Sequence, residues 1–134
     1  MSTPSLPVVQ ELLHHLDEHI ASSIALRHDL HSDPRLSGRE TDTIDFLIEH
    51  LGSEGLNMHE GFFTIRVGDA HGPAVAIRAE LDALPIAEAT DISWRSTNGA
   101  MHACGHDVHM AALAAVVRAA RKAHIKVPLV AVFQ

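Results

Sequence analysis

The chain has few of the residues that staple or anchor small proteins. Its 134 residues include one cysteine, one tryptophan, four phenylalanines and no tyrosine. A single cysteine can close no internal disulfide, which fits a reducing compartment and leaves Cys104 free for metal binding or catalysis. Basic charge is scarce as well: 10 Lys and Arg stand against 17 Asp and Glu, a formal net charge of −7. Without a basic patch to track phosphates, nucleic acid is excluded as the expected partner, and an anionic membrane surface is disfavoured. No apolar run approaches the roughly 18 residues of a membrane span. The opening MSTPSLPVVQ lacks the basic and apolar segments of a signal peptide. The expectation is a cytoplasmic protein.

What is present reads as globular: 46% apolar and 20% charged residues. The length suits one domain, and such a chain buries roughly two-thirds of its unfolded surface. Twelve histidines are scattered along it. His14, His15, His19, His28, His31, His50, His59, His71 and His124 are expected to be surface or half-buried side chains.

Pro7 suits the first turn of a helix, with Ser5 as a cap. Val9, Leu12, Leu13, Leu16, Ile20 and Ile24 recur at three- and four-residue steps, which predicts one long helix running towards Leu30. Asp33-Pro34 ends it. Ser37 and Glu40 have the spacing of a capping box for a second helix with Ile44, Leu47, Ile48 and Leu51 on its apolar face. Gly52 or Gly55 can terminate that helix. Phe62–Val67 and Ala74–Ala79 read as strands. Residues 86–103 read as a loop with Trp94 as a packing anchor. From Val108 an alanine-rich stretch predicts a helix, capped by Asp107 and ending among Arg118, Arg121, Lys122 and His124. Val127–Gln134 reads as a final, central strand. Strand, helix, strand in this order implies a parallel crossover and an α/β fold. The chain stops where a loop beyond that strand should begin, which suggests truncation.

The chemistry concentrates in AMHACGHDVHMAAL, residues 100–113. His102, Cys104, His106, Asp107 and His109 fall within eight positions just before a helix. Thiolate and imidazole are good ligands for zinc and similar metals, and a thiol near a helix N-terminus is pushed towards thiolate. Glu80 and Asp82 end a neighbouring strand, where a carboxylate can bind metal or orient a ligand histidine. Three readings stand side by side: a metal site, a nucleophilic cysteine with a histidine base, and a structural cysteine among ordinary loop histidines.

HSDPRLSGRE, AIRAELDALP and MHACGHDVH, in that order and spacing, resemble the N-terminal part of the M20 peptidase family. The branch is that of amidohydrolases of N-acyl amino acids, of the hippurate hydrolase and aminoacylase types. The resemblance implies the N-terminal portion of an αβα-layered metallohydrolase domain with a mostly parallel mixed sheet. Residues 1–134 would form a single, incomplete catalytic domain without the lid or dimerisation domain. It implies two divalent ions per complete site, of Mn, Zn, Co or Ni type. Carried over by position, Cys104 bridges the metals and His106 binds one of them, with Asp82, Glu80 and His109 in support. The general-base glutamate is expected just after Gln134, so no catalytic residue falls within the chain and it is expected to be inactive alone. The substrate class would be small N-acyl amino acids, and a homo-oligomer is possible. Arg35 replaces a glutamate usual in the family, and Glu80 an aspartate. The alternative is a catalytically inactive module that binds or oligomerises through an exposed strand edge. A third reading is a small metal-binding or thiol-reactive protein.

Overall fold

The computed structural model describes residues 6–134. Four helices and four strands follow the order α1 (Leu6–Glu18), α2 (Ile20–Ser32), α3 (Thr41–Leu51), β1 (Leu56–His59), β2 (Phe62–Val67), β3 (Val75–Ala79), α4 (His106–Lys122) and β4 (Leu129–Phe133). The expected long first helix is two. His19 sits at φ −101°, ψ 0°, its N–H donating to the Leu16 carbonyl at 3.0 Å, and a new helix starts from its own carbonyl. The apolar stripe is consequently only partly buried: Leu26 and Leu30 enter the core, while Leu13, Ile20 and Ile24 stay more than half exposed. The cap proposed for Ser5 lies outside the described residues.

Two other predicted caps do not form. Glu40 occupies the N-cap of α3 with no side-chain bond, because Leu36–Arg39 closes a separate turn that carries Ser37 away. Gly52 does end α3, its N–H meeting the Ile48 carbonyl at 2.8 Å. Asp107 lies inside α4 rather than at its cap, which is Gly105.

The strands form one mixed sheet in the order β1-β2-β4-β3. β3 and β4 pair in parallel across α4, as a crossover requires, and β4 is interior. The sheet is not mostly parallel, however: β1–β2 and β2–β4 are both antiparallel. The cause is β1, which was not foreseen; it folds back on β2 across Glu60-Gly61, and that hairpin directs β2 against β4.

Alternation then sets the core. Phe63, Ile65 and Val67 of β2 and Leu129, Ala131 and Phe133 of β4 point to one buried face. Phe63 and Phe133 are register partners with rings 4.8 Å apart. Met110, Leu113, Ala114, Val117 and Ala120 of α4 meet that face at helical spacing, and its alanines allow a close approach. Leu26, Leu30, Ile44, Leu47 and Leu51 of α2 and α3 join the same cluster, and each buried side chain of this size contributes about 1.5–3 kcal/mol. The helices therefore cover one face of the sheet; no helix among the described residues covers the other, so the αβα layering is half present here. No helix among them is long and apolar enough to cross a membrane.

Candidate metal centre

The carboxyl end of β3 and the start of α4 meet at one edge of the sheet. Leu81 N–H donates to the Gln134 carbonyl at 3.0 Å, and Ala83 N–H to the Arg35 carbonyl at 2.7 Å. These bonds fix the segment that carries Glu80 and Asp82. Gly105, at φ 96°, turns the incoming loop into α4; a side chain there would be strained, which suits glycine between two functional residues.

His106 is the best-defined group. Its Nδ1 lies 2.9 Å from the Asp82 carbonyl oxygen and 3.1 Å from Asp82 Oδ1. An Nδ1–H donated to Asp82 leaves the Nε2 lone pair free, and Nε2 faces Glu80 Oε2 at 3.4 Å. His109 Nδ1 approaches the same oxygen at 3.8 Å. Glu80 Oε1 accepts from Arg78 at 3.0 Å. Burial opposes ionisation of Glu80, but the Arg78 hydrogen bond, with a smaller contribution from the neighbouring His106, outweighs it and holds the carboxyl below its ordinary range. The structure thus gathers Glu80, Asp82, His106 and His109.

Cys104 is placed differently. It is exposed, in the turn preceding Gly105. Its sulfur does not converge with His106 and Glu80 into a three-donor cluster. Among the described residues the group of three or more potential ligands with donor atoms within 4.8 Å of one another is His14, His15 and Glu18, on α1. His102, two residues before Cys104, is buried with neither ring nitrogen hydrogen-bonded, and burial pushes its pKa down.

Behind the ligand loop lies a buried polar network that the sequence reading missed. Asp107 is fully buried; its Oδ2 accepts from Arg27 Nε and from His31 Nδ1, each at 2.8 Å. His31 is 4% exposed, contrary to the expected surface position, and its Nε2 meets Glu88 at 3.0 Å. Glu88 also accepts from the Ser96 N–H at 2.7 Å and the Thr90 hydroxyl at 2.6 Å. Burial alone would raise the Glu88 pKa, but these bonds and His31 bring it down to about 2. Trp94 closes the network, stacked on His28 at 4.1 Å and lying under the Arg27 guanidinium at 4.6 Å. Asp107, the residue next to His106, is therefore anchored to α2 directly and to the 86–103 loop through His31 and Glu88.

Comparison with known proteins supplies the family. The model of peptidase family M20/M25/M40 matches residues 76–134, the stretch holding Glu80, Asp82, Cys104 and His106. An N-acetyl-L-cysteine deacetylase of Bacillus subtilis is 43% identical over 96 residues, which cover 67% of this chain. The chain belongs to the M20 peptidase family. An N-acyl-L-amino acid amidohydrolase of Geobacillus stearothermophilus is 42% identical over 110 residues, 78% of this chain. The crystal structure of a Bacillus subtilis dinuclear metal-binding peptidase of the M20 family superposes with a TM-score of 0.75 and 33% identity over 88% of this chain. The chain spans about a quarter to a third of the length of these M20 proteins: 23%, 30% and 36%.

Proposed function

We propose that residues 1–134 supply part of the active centre of an M20 metal-dependent amidohydrolase that cleaves the amide bond of N-acyl amino acids. Cys104 and His106 are the proposed metal ligands, with Asp82, Glu80 and His109 as their supports. The observation that carries this reading is His106: one ring nitrogen is held by Asp82 while the other is presented beside an ionised Glu80. That is the pattern of an oriented metal-ligand imidazole. The donor chemistry also fits, because thiolate, imidazole and carboxylate together suit zinc, cobalt, nickel and manganese. Family resemblance suggests two such ions in a complete site, and the dinuclear relative supports it.

When bound, the metal supplies a Lewis acid that lowers the pKa of water towards roughly 7 and polarises the amide carbonyl. The residues of this chain set the conditions. Asp82 keeps the proton on Nδ1 and so the lone pair on Nε2. Arg78 keeps Glu80 charged. Asp107, through His31 and Arg27, fixes the start of α4. Because the chain spans about a third or less of its relatives' length, the general base and further ligands are assigned outside these residues.

Cobalt titration tests the ligand assignment. The chain is expected to develop a thiolate-to-metal charge-transfer band that Cys104→Ser abolishes and Asp82→Asn weakens. A cobalt complex without that band in the unmodified chain would overturn the role of Cys104. Hydrolysis of an N-acetyl amino acid by the chain is expected to match that of its Cys104→Ala variant; a clear excess would overturn the assignment of the base elsewhere.

The second reading, an oligomerising module, draws support from β3. It is an edge strand, with Val75 and Ile77 at 46% and 41% exposure. β4, expected to be central, is paired on both sides, so the exposed edge on that side of the sheet is that of β3. A discrete oligomer in sedimentation that Ile77→Lys dissociates would favour this reading.

A further inference from the structure

We propose a second metal site, on the outer face of α1, where His14, His15 and Glu18 bind a divalent transition ion of the zinc and nickel class. It is remote in sequence from Cys104 and His106 and independent of the amidohydrolase reading.

The spacing does the geometric work. Residues three and four apart on a helix are neighbours, so Glu18 faces His15 at i+3 and His14 at i+4. His15 Nδ1 lies 2.8 Å from Glu18 Oε2, and His14 Nε2 lies 3.8 Å from Glu18 Oε1. The three donor atoms fall within 4.8 Å of one another. Ligands held at about 2.0–2.2 Å around a tetrahedral zinc stand roughly 3.3–3.5 Å apart. The two observed separations bracket that value, so small side-chain rotations seat an ion. A plain helical ion pair accounts for His15, which already hydrogen-bonds Glu18. At 3.8 Å His14 is too far from Glu18 for a hydrogen bond but within ion-pair range, and a small rotation that brings it closer completes the ligand set.

The local charge is favourable. The Glu18 carboxylate supplies an anionic oxygen donor beside the two imidazoles. Two neutral imidazoles and one carboxylate leave the remaining positions of the ion to water, as expected for an exposed site of modest affinity. One competitor is present: Lys122 Nζ sits 3.3 Å from Glu18 Oε2 and must swing aside. Its long exposed stem makes that displacement cheap. His15, by contrast, is largely covered, its side chain 19% exposed, so its ring is already held beside Glu18, and an ion bound at Nδ1 takes the place of the proton donated to the carboxylate.

Calorimetric titration of nickel into the chain, prepared without a polyhistidine tag, tests the site. In a Cys104→Ala/His106→Ala background one equivalent should bind. His15→Ala and Glu18→Gln should each weaken it by about tenfold or more, whereas His124→Ala, outside the trio, should move it less than about twofold. If that background fails to fold, cobalt titration of the unmodified chain separates the sites. The α1 complex lacks the sulfur charge-transfer band and shifts the imidazole NMR signals of His14 and His15. Absence of nickel binding up to millimolar concentration would overturn the proposal. So would an affinity indifferent to both His15→Ala and Glu18→Gln.

Discussion

Asp107 shows how one residue can be decisive and still hard to read. In the sequence it looks like a helix cap, because aspartate beside an apolar helix usually is one. Its actual partners, His31 and Arg27, lie 76 and 80 positions away, and no local pattern encodes such a pairing. His106 was easier: its neighbours Cys104 and Gly105 and the strand-end carboxylates mark a site on chemical grounds alone. Removing Asp107 leaves a buried imidazole and a guanidinium without their shared acceptor. Asp107→Ala is therefore expected to destabilise the chain by about 3–5 kcal/mol, measurable by urea unfolding. A loss below about 1 kcal/mol would mean that water replaces the carboxylate. Glu88 carries the pH dependence of the same network. Its folded pKa, about 2, lies below the ordinary value near 4.3. Its contribution is thus fully present above the ordinary value and is lost as pH falls from there towards 2. Unfolding measured between pH 5 and pH 2 should show a steep acid limb that Glu88→Gln flattens; an unchanged limb in the variant would exclude Glu88 as its source.

Among the elements, the ones with a strong period were legible. β2 alternates apolar and polar residues, β3 and β4 are short apolar runs, and α4 is alanine-rich, so each reads locally. β1 was not, because Leu-Asn-Met-His alternates over only four residues and has no β-branched side chain, and its pairing with β2 makes it a strand. The break between α1 and α2 was also invisible: histidine at position 19 carries no helix-stop signal, and both helices pack against α4. The hairpin nevertheless rests on one glycine that the sequence does show. Gly55, at φ +74°, would place an added Cβ 2.0 Å from the Arg66 carbonyl oxygen, while its own carbonyl accepts from the Arg66 N–H at 2.9 Å. Backbone cannot move aside as a side chain can. Gly55→Ala is expected to cost more than about 2 kcal/mol and to raise amide exchange in β1 ahead of β4. Equal exchange in both strands would show that the hairpin is not the unit affected.

At the scale of the whole molecule, the α/β class and the crossover were legible, but the layering was not. Which face of a sheet the helices cover depends on tertiary contacts between α2, α3 and α4, and these have no signature in any single window. The same contacts leave apolar surface in view. Between α2 and α4 lies an open cavity of about 560 Å³, lined by Leu16, Ile20, Ile24, Arg27, Val108 and Ala112 among others. Ile20 and Ile24 are each 53% exposed and Val108 48%, unlike Leu26, Met110 and Leu113 on the same helices, which are buried. An apolar concavity of this kind, open to water, recruits apolar solutes. The folded chain is therefore expected to enhance the fluorescence of an anilinonaphthalene dye without any loss of near-ultraviolet circular dichroism. Replacing Ile20 and Ile24 together by serine should remove most of that enhancement. The same replacement should shift unfolding by less than about 1–2 kcal/mol, because half-exposed side chains forfeit only part of their burial. Dye binding that survives the replacement would place the accessible apolar surface elsewhere, on the open face of the sheet around Val130 and Val132.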